Sequence, residues 1–152
     1  RISPFYFIWI FSLTSFFKKM INQEIIKLAS NTSNSGLENV YSHRVTLKNT
    51  LCGDKITLEI LCNGKKINSM KYETVSCIYC EASASLLSQK IKRLKIKDIK
   101  NDFEILKNIS KQKRIKIPKK YSEFGKLLNS DNLNRFKCIF LPFDAVIKAL
   151  KL

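Results

Sequence analysis

Three cysteines and one aspartate in this chain have the residue types that hold a borderline-soft metal ion: Cys52, Asp54, Cys77 and Cys138. Three thiolates and one carboxylate complete a tetrahedral set for zinc, and thiolates are also the usual ligands of iron–sulfur clusters. Cys52 and Asp54 are two positions apart, so an extended backbone would point both side chains in the same direction. Gly53 between them lacks a Cβ atom, which allows the loop to bend around an ion. The set therefore predicts a metal or cluster site, provided that the fold brings the four positions together.

Alternation of apolar and polar side chains predicts the strands that would position these residues. It is found over residues 44–49, 55–62 and 66–75, which indicates three strands in quick succession. Asn63-Gly64 is typical of a hairpin turn between the second and third strands, because both residue types tolerate positive φ. In the second strand the residues expected to point inward are Ile56, Leu58, Ile60 and Cys62, and those expected to point outward are Lys55, Thr57 and Glu59.

Apolar residues at helical spacing predict helices on both sides of the strands. The first is expected over residues 21–28, and another is expected to follow Cys77. Residues 90–120 contain 13 basic and 3 acidic residues and keep an apolar stripe, which predicts a basic helix that Pro118 ends. Two further helices are predicted over residues 121–128 and 133–150.

This order of elements predicts an α+β fold, in which a small three-stranded antiparallel sheet packs against several helices. Cys52 and Asp54 then lie in the loop before the second strand, Cys77 lies at the end of the third, and Cys138 lies near the start of the last helix. A chain of 152 residues suits one domain with a real core, which we assign to residues 20–152.

Residues 1–19 stand apart from this domain. Residues 2–17 are rich in Phe and Ile, but the stretch is shorter than the roughly 18–20 residues that a membrane-spanning helix needs. Lys18-Lys19 follow it in place of a small-residue cleavage site, which argues against a secretory signal. We expect residues 1–19 to be a non-native leader, with Met20 as the physiological start. A short anchor at a membrane surface is the alternative.

The chain is strongly basic, with 28 Lys and Arg residues against 12 Asp and Glu residues and a formal net charge of +16. The favoured interpretation is a solvated lysine surface, because the sequence has no recognisable nucleic-acid-binding module. Five cysteines is an odd number, and their spacing does not predict a disulfide framework. We therefore expect a reducing, cytoplasmic location, with neither nucleic acid nor a membrane as a partner.

Three separated motifs resemble the NifU/IscU/SufU family of iron–sulfur cluster assembly proteins and its NifU N-terminal-like domain, over about residues 21–150. They are Asn49-Thr50-Leu51-Cys52-Gly53-Asp54, Cys77 followed by Ala82-Ser83-Ala84-Ser85, and Arg135-Phe136-Lys137-Cys138. The resemblance implies that Cys52, Asp54, Cys77 and Cys138 are the metal ligands. It also implies a cysteine desulfurase as partner, and an iron–sulfur apoprotein or a downstream assembly factor as recipient.

Several details resemble the SufU branch, whose members hold zinc and accept persulfide sulfur. The 61 positions from Cys77 to Cys138 are one, and the Ala-Ser-Ala-Ser motif is another. Lys137 stands where the IscU branch has a histidine, and the Leu-Pro-Pro-Val-Lys motif of that branch is missing. The favoured function is thus a zinc-supported sulfur acceptor, a sulfur-transfer partner more than a free-standing enzyme. An IscU-like scaffold for iron and a labile [2Fe–2S] cluster remains open, as does a structural zinc protein with a basic nucleic-acid-binding face.

Roles for individual residues follow from this chemistry. A zinc ion with three thiolates and a carboxylate leaves a negative site, so cations such as Arg135 and Lys137 would stabilise it. Attack on a persulfide requires one thiolate to leave the metal, and Cys52 on its glycine-containing loop is the mobile, catalytic candidate. Cys77 is expected where a helix begins, a position that favours an anion.

Three other residues have weaker claims to a role. Cys80 forms a Cys-x-x-Cys with Cys77 and could be a spare ligand, a resolving thiol or a small helix residue, and the last is favoured. Cys62 is expected in the core and His43 at an exposed strand edge, neither as a ligand.

Overall fold

The structure, a computed structural model, describes residues 22–112 and 115–152. The prediction for residues 1–19, including Met20 as the start, lies outside these residues. The strands are β1 (His43–Lys48), β2 (Lys55–Asn63) and β3 (Lys66–Val75). The α-helices are α1 (Gln23–Ala29), α2 (Ile78–Lys90), α3 (Ile96–Ser110) and α4 (Phe136–Leu150), and the 3₁₀ helices are Ile91–Arg93, Lys119–Lys126 and Ser130–Arg135. Within the described parts of the chain, none of these helices has the length and apolar character needed to cross a membrane.

The predicted α+β fold is confirmed. The strands form one antiparallel sheet in the order β1-β2-β3, so β2 is central and Leu58 lies opposite both Val45 and Tyr72. The hairpin turn falls one residue later than predicted, because Asn63 still pairs with Lys66. The inner face of the sheet contributes fully buried side chains from Ile56, Leu58, Ile60, Met70 and Tyr72.

Helix α2 lies at the centre of the molecule and contacts α1, α4 and β3. Small residues let these elements approach closely, and their hydroxyl groups are satisfied inside the core. The buried Ser83 Oγ donates to the carbonyl of Ile139 in α4 at 2.6 Å, and Ser85 Oγ donates to the carbonyl of Asn31 at 2.9 Å. The first bond fixes α2 against α4 and the second fixes α2 against the loop after α1, and the candidate site lies where α2 and α4 begin.

Glu59 points away from the apolar face, as predicted, but it is only 1% exposed. Its Oε2 accepts hydrogen bonds from the backbone N–H groups of Glu38 and Asn39, both at 3.0 Å, and Oε1 lies 3.2 Å from the Arg44 guanidinium. The loop after Gly36 therefore covers this part of the outer face. Alternation within a strand carries no information about a loop that folds over it.

The single basic helix predicted over residues 90–120 is wrong. The described residues form the end of α2, a 3₁₀ turn, helix α3 and then an irregular segment before the next 3₁₀ helix. Helix α3 ends at Ser110, well before Pro118, because Lys111 and Gln112 are exposed and offer no apolar face to bury. Asp102 ties the later segment back to α3 through Lys120 Nζ at 2.5 Å and Tyr121 Oη at 2.8 Å.

Candidate metal centre

The loop that carries Cys52 is a closed turn organised by Asn49. The Asn49 backbone N–H donates to the Asp54 carbonyl at 2.7 Å, and its own carbonyl accepts from Gly53 N–H at 2.8 Å. Its side-chain Oδ1 accepts from Leu51 N–H at 3.0 Å. Gly53 has φ +75°, so the backbone is not extended here as the sequence argument assumed. The turn nevertheless places Cys52 and Asp54 on the same site, because the reversal at Gly53 closes the loop.

Asp54 is a buried carboxylate at the base of this site, 6% exposed. Its Oδ1 accepts a hydrogen bond from the backbone N–H of Cys77 at 3.0 Å, whereas its buried Oδ2 has no well-formed hydrogen bond within the described chain. Burial works to raise the pKa of Asp54, but contacts with the Cys138 thiol and the Cys77 N–H outweigh it and hold that pKa below its ordinary value. An ionised, buried oxygen without a partner is suited to a cation.

Cys138 enters the site from the first turn of α4. Its Sγ lies 3.6 Å from Cys52 Sγ, and the side chain is buried. Burial, with its contacts to Asp54 and Cys52, raises the pKa of the Cys138 thiol, so without a metal this group keeps its proton. Pro142 lies one turn further along α4 and has no N–H to donate to the Cys138 carbonyl, which loosens the helical turn that carries the thiol.

The structure brings three of the four predicted ligands into one group. One donor atom each from Cys52, Asp54 and Cys138 lies within 4.8 Å of the others, the spacing of residues that could share an ion. The Cys77 sulfur is not part of this group. Cys77 occupies the N-cap position of α2, as expected, without a capping bond from its side chain. It is half-buried beside the group, where its N–H donates to Asp54 and its thiol contacts Asp54 and Cys138.

The two predicted cations flank the site from the segment before Cys138. The Arg135 guanidinium lies over the ring of Tyr79, 5.6 Å from its centroid. Lys137 is exposed and lines a groove next to the site. Neither side chain forms an ion pair with Asp54.

The remaining cysteines and the histidine lie apart from the three-residue group. Cys80 is fully buried in α2, and burial raises the pKa of its thiol to about 12. Cys62 is half-buried against the core, at an irregularity in the β2–β3 pairing. His43 Nδ1 lies 3.0 Å from Ser42 Oγ. His43 begins the edge strand β1, as predicted, but it is half-buried and not exposed.

Apolar side chains exposed around the site were not anticipated from the sequence. Leu51 and Val75 are each 71% exposed, and Ile78 and Leu133 are also exposed. Three of these four residues lie within two positions of Cys52 or Cys77. The signal was available in the sequence as apolar residues flanking the candidate ligands, at positions where a loop would normally be polar.

Comparison with known proteins identifies the family. The sequence model of the NifU-like N terminal domain matches residues 20–129, which include Cys52, Asp54 and Cys77, and Cys138 follows them. The chain belongs to this NifU-like family. An iron–sulfur cluster assembly scaffold protein IscU from Thermotoga maritima is 30% identical over 142 residues, covering 89% of this chain and 95% of the relative.

Two solved structures show that the fold is shared. A NifU-like protein (N-terminal) from Brucella abortus has a TM-score of 0.77 at 17% identity, covering 89% of this chain and 94% of its own. A putative scaffold protein for the SUF system from Fervidobacterium islandicum has a TM-score of 0.70 at 24% identity, covering 86% and 96%. At these identities the likeness concerns the fold alone.

Proposed function

We propose that this NifU-like protein works in iron–sulfur cluster assembly and receives sulfur at Cys52. One observation carries the proposal: the exposed Cys52 sulfur lies 3.6 Å from the buried Cys138 sulfur, above a buried carboxylate that has an unpaired oxygen. Such a site combines a solvent-accessible nucleophile with fixed donors that can hold an ion beneath it. Membership of the NifU-like family supports a role in iron–sulfur cluster assembly, and the Thermotoga relative is named as a scaffold protein for that assembly.

The donor set fits a zinc ion. Thiolates and a carboxylate are ligands that zinc accepts, and the unpaired Oδ2 of Asp54 gains a partner when a cation is bound. Cys52, Asp54 and Cys138 would hold the ion, with Cys77, whose thiol contacts Asp54 and Cys138, as the fourth ligand. When bound, zinc keeps the thiols deprotonated and lowers their reactivity until one is released. Arg135 and Lys137 on the adjoining segment would offset the negative charge of the ligands.

Cys52 is the residue in this set that can leave and return. It is exposed on a turn, whereas Cys138 is buried in α4 and Cys77 caps α2. The Cys52 thiolate attacks the outer sulfur of a donor persulfide and forms a new S–S bond. The S–S bond of the donor breaks, the donor leaves as a thiolate, and Cys52 becomes the persulfide, so no external oxidant or reductant is needed. A cysteine desulfurase is the donor that supplies a protein-bound persulfide.

A second function rests on the same ligands. As a scaffold, the protein would hold iron and sulfide as cargo between the three cysteines and Asp54, and pass a [2Fe–2S] cluster to an apoprotein. The name of the Thermotoga relative supports this alternative. It requires the Cys77 thiol as a further ligand, because a cluster needs more ligands than the three that already lie together.

Anaerobic purification followed by metal and sulfide analysis separates the two functions. The sulfur-acceptor function predicts about one zinc per chain and no colour, and the scaffold predicts iron, labile sulfide and visible absorption. Transfer of labelled sulfur from a cysteine desulfurase then tests Cys52. Cys52→Ala should lose transfer, and Cys62→Ala, which removes a thiol away from the site, should keep it. Equal labelling of both variants would refute a sulfur-accepting Cys52.

A further inference from the structure

A groove of about 490 Å³ opens beside the thiols and is not used by the chemistry described above. Its walls are the end of β1 with the loop after it, the last turn of α3, and the first turns of α4. Its surface is mainly apolar, with side chains from Leu47, Leu51, Phe136, Phe140 and Leu141. A concave apolar surface of this size is typical of a site that takes side chains from a ligand or a partner.

The groove is continuous with the candidate metal centre. Thr50 and Leu51 line it immediately before Cys52 in the chain, and Phe136 and Lys137 line it immediately before Cys138. A segment that lies in the groove therefore approaches the loop of Cys52. The exposed side chain of Leu51, 71% accessible, forms part of the boundary between the two.

The charged side chains that line the groove indicate which kind of peptide segment would bind there. Lys48, Lys111 and Lys137 line the groove, and within the described residues none of them has a carboxylate within 4.0 Å. The fourth lysine, Lys107, is paired with Asp144, the one carboxylate in the lining. The groove thus has an apolar floor and three cations without a counter-charge, which is complementary to acidic residues around an apolar anchor.

We propose that this groove binds an acidic segment, anchored by a large apolar side chain, of the protein that donates sulfur to Cys52. Binding there holds the donor persulfide against the Cys52 loop, so that transfer follows docking. The inference rests on the proposed sulfur-acceptor function and adds to it the place and chemistry of the contact. A peptide fits better than nucleic acid, because the apolar floor of the groove suits an apolar anchor side chain and offers little to a phosphate backbone.

Charge reversal of two groove lysines tests the proposal. Lys48→Glu with Lys111→Glu changes the groove but leaves every proposed ligand and Lys137 in place. The matched control is Lys65→Glu with Lys92→Glu. Lys65 is exposed in the hairpin turn after β2, and Lys92 is exposed just after α2, so both lie at the ends of these elements that are far from Cys52 and Cys77. Both double variants change the net charge equally, so a difference between them reports position.

The measurement is the initial rate of sulfur transfer from a cysteine desulfurase at limiting donor and low salt. We expect kcat/KM to fall by about tenfold or more in the groove variant and by less than about twofold in the control, because only the groove charges act at short range. Inorganic polysulfide, which needs no docking, should label both variants at the wild-type rate.

Each of the remaining outcomes would contradict either the groove inference or the sulfur-acceptor function. Equal rates for both double variants overturn the groove as the docking site. Loss of labelling by polysulfide as well shows that the substitutions damage the thiol site, and the groove inference then also fails. If the wild type accepts sulfur from neither donor, the sulfur-acceptor function itself is refuted. If a 20-base-pair DNA duplex binds the wild type and not the groove variant while transfer is unchanged, the groove is a nucleic-acid site and the inference is wrong.

Discussion

Substitution of Gly53 tests whether the turn at Cys52 has the shape that an ion requires. Gly53 has φ +75°, and a Cβ atom added there would meet nothing within 4 Å. Gly53→Ala therefore introduces backbone strain without a collision, worth about 1–2 kcal/mol for an L-residue in the left-handed region. In the metal-free protein the exposed turn can relax and relieve this strain. Metal binding requires the residue at position 53 to return to positive φ, so the strain is subtracted from the binding free energy. Zinc affinity should therefore fall by about 5- to 30-fold.

Gly64 provides the matched control. Its φ is +58°, and an added Cβ would likewise meet nothing within 4 Å, but it lies in the hairpin turn between β2 and β3. Strand pairing on both sides prevents relaxation there. Gly64→Ala should therefore lower the free energy of unfolding by about 1–2 kcal/mol and leave zinc affinity unchanged. Gly53→Asn should give an intermediate loss of affinity, because asparagine tolerates positive φ better than alanine.

The assay is competition for zinc with a chromophoric chelator, combined with urea denaturation of the metal-free proteins. The reasoning is refuted if Gly53→Ala binds zinc within twofold of wild type while Gly64→Ala shows its expected loss of stability. That result would mean that the turn seen here is not the conformation that holds the ion.

Three further outcomes follow from buried groups. Cys80→Ala should accept sulfur at the wild-type rate, because Cys80 is fully buried and the pKa of its thiol is raised to about 12. A large loss of label in this variant would show that the Cys80 thiol takes part in sulfur transfer. Ser83→Ala should lower the free energy of unfolding by about 1 kcal/mol in a denaturant titration, through loss of the bond to the Ile139 carbonyl, and an unchanged midpoint would contradict this. The pKa of Asp54 is lower in the folded protein than in the unfolded chain, so ionised Asp54 stabilises the fold above about pH 4. This stabilisation is lost as the pH falls through the pKa of the folded state. The urea midpoint of metal-free Asp54→Asn should accordingly fall less between pH 5 and pH 3 than that of wild type, and parallel curves would refute the assignment.

The strands could be predicted closely because their burial follows a simple period. The bounds of β3 agree with the prediction, β2 ends one residue later than predicted, and β1 begins and ends one residue earlier. The period of two also gave the inner face of β2 correctly at Ile56, Leu58 and Ile60. These features depend on the local alternation of apolar and polar residues around one core, and this alternation can be read directly from the sequence.

The features that the sequence did not reveal arise where distant segments meet. Glu59 is buried because a loop 20–21 residues earlier supplies its hydrogen-bond donors. The groove next to the thiols is formed by β1, α3 and α4 together, so no local pattern reveals it. The structure brings together Cys52, Asp54 and Cys138, three of the four ligands inferred from residue types. The reason offered for the pairing of Cys52 with Asp54, an extended backbone between them, was wrong, because Gly53 has positive φ.

X-ray absorption at the zinc edge, on protein loaded with one equivalent of zinc, reports which atoms of the chain bind the ion. We expect a first shell of three sulfur atoms at about 2.3 Å and one oxygen at about 2.0–2.2 Å, from Cys52, Cys77, Cys138 and Asp54. Asp54→Ala should remove the oxygen at that distance or replace it with another ligand, and Cys138→Ala should remove one sulfur. A wild-type shell with fewer than three sulfurs, or one that Cys138→Ala leaves unchanged, would contradict the account.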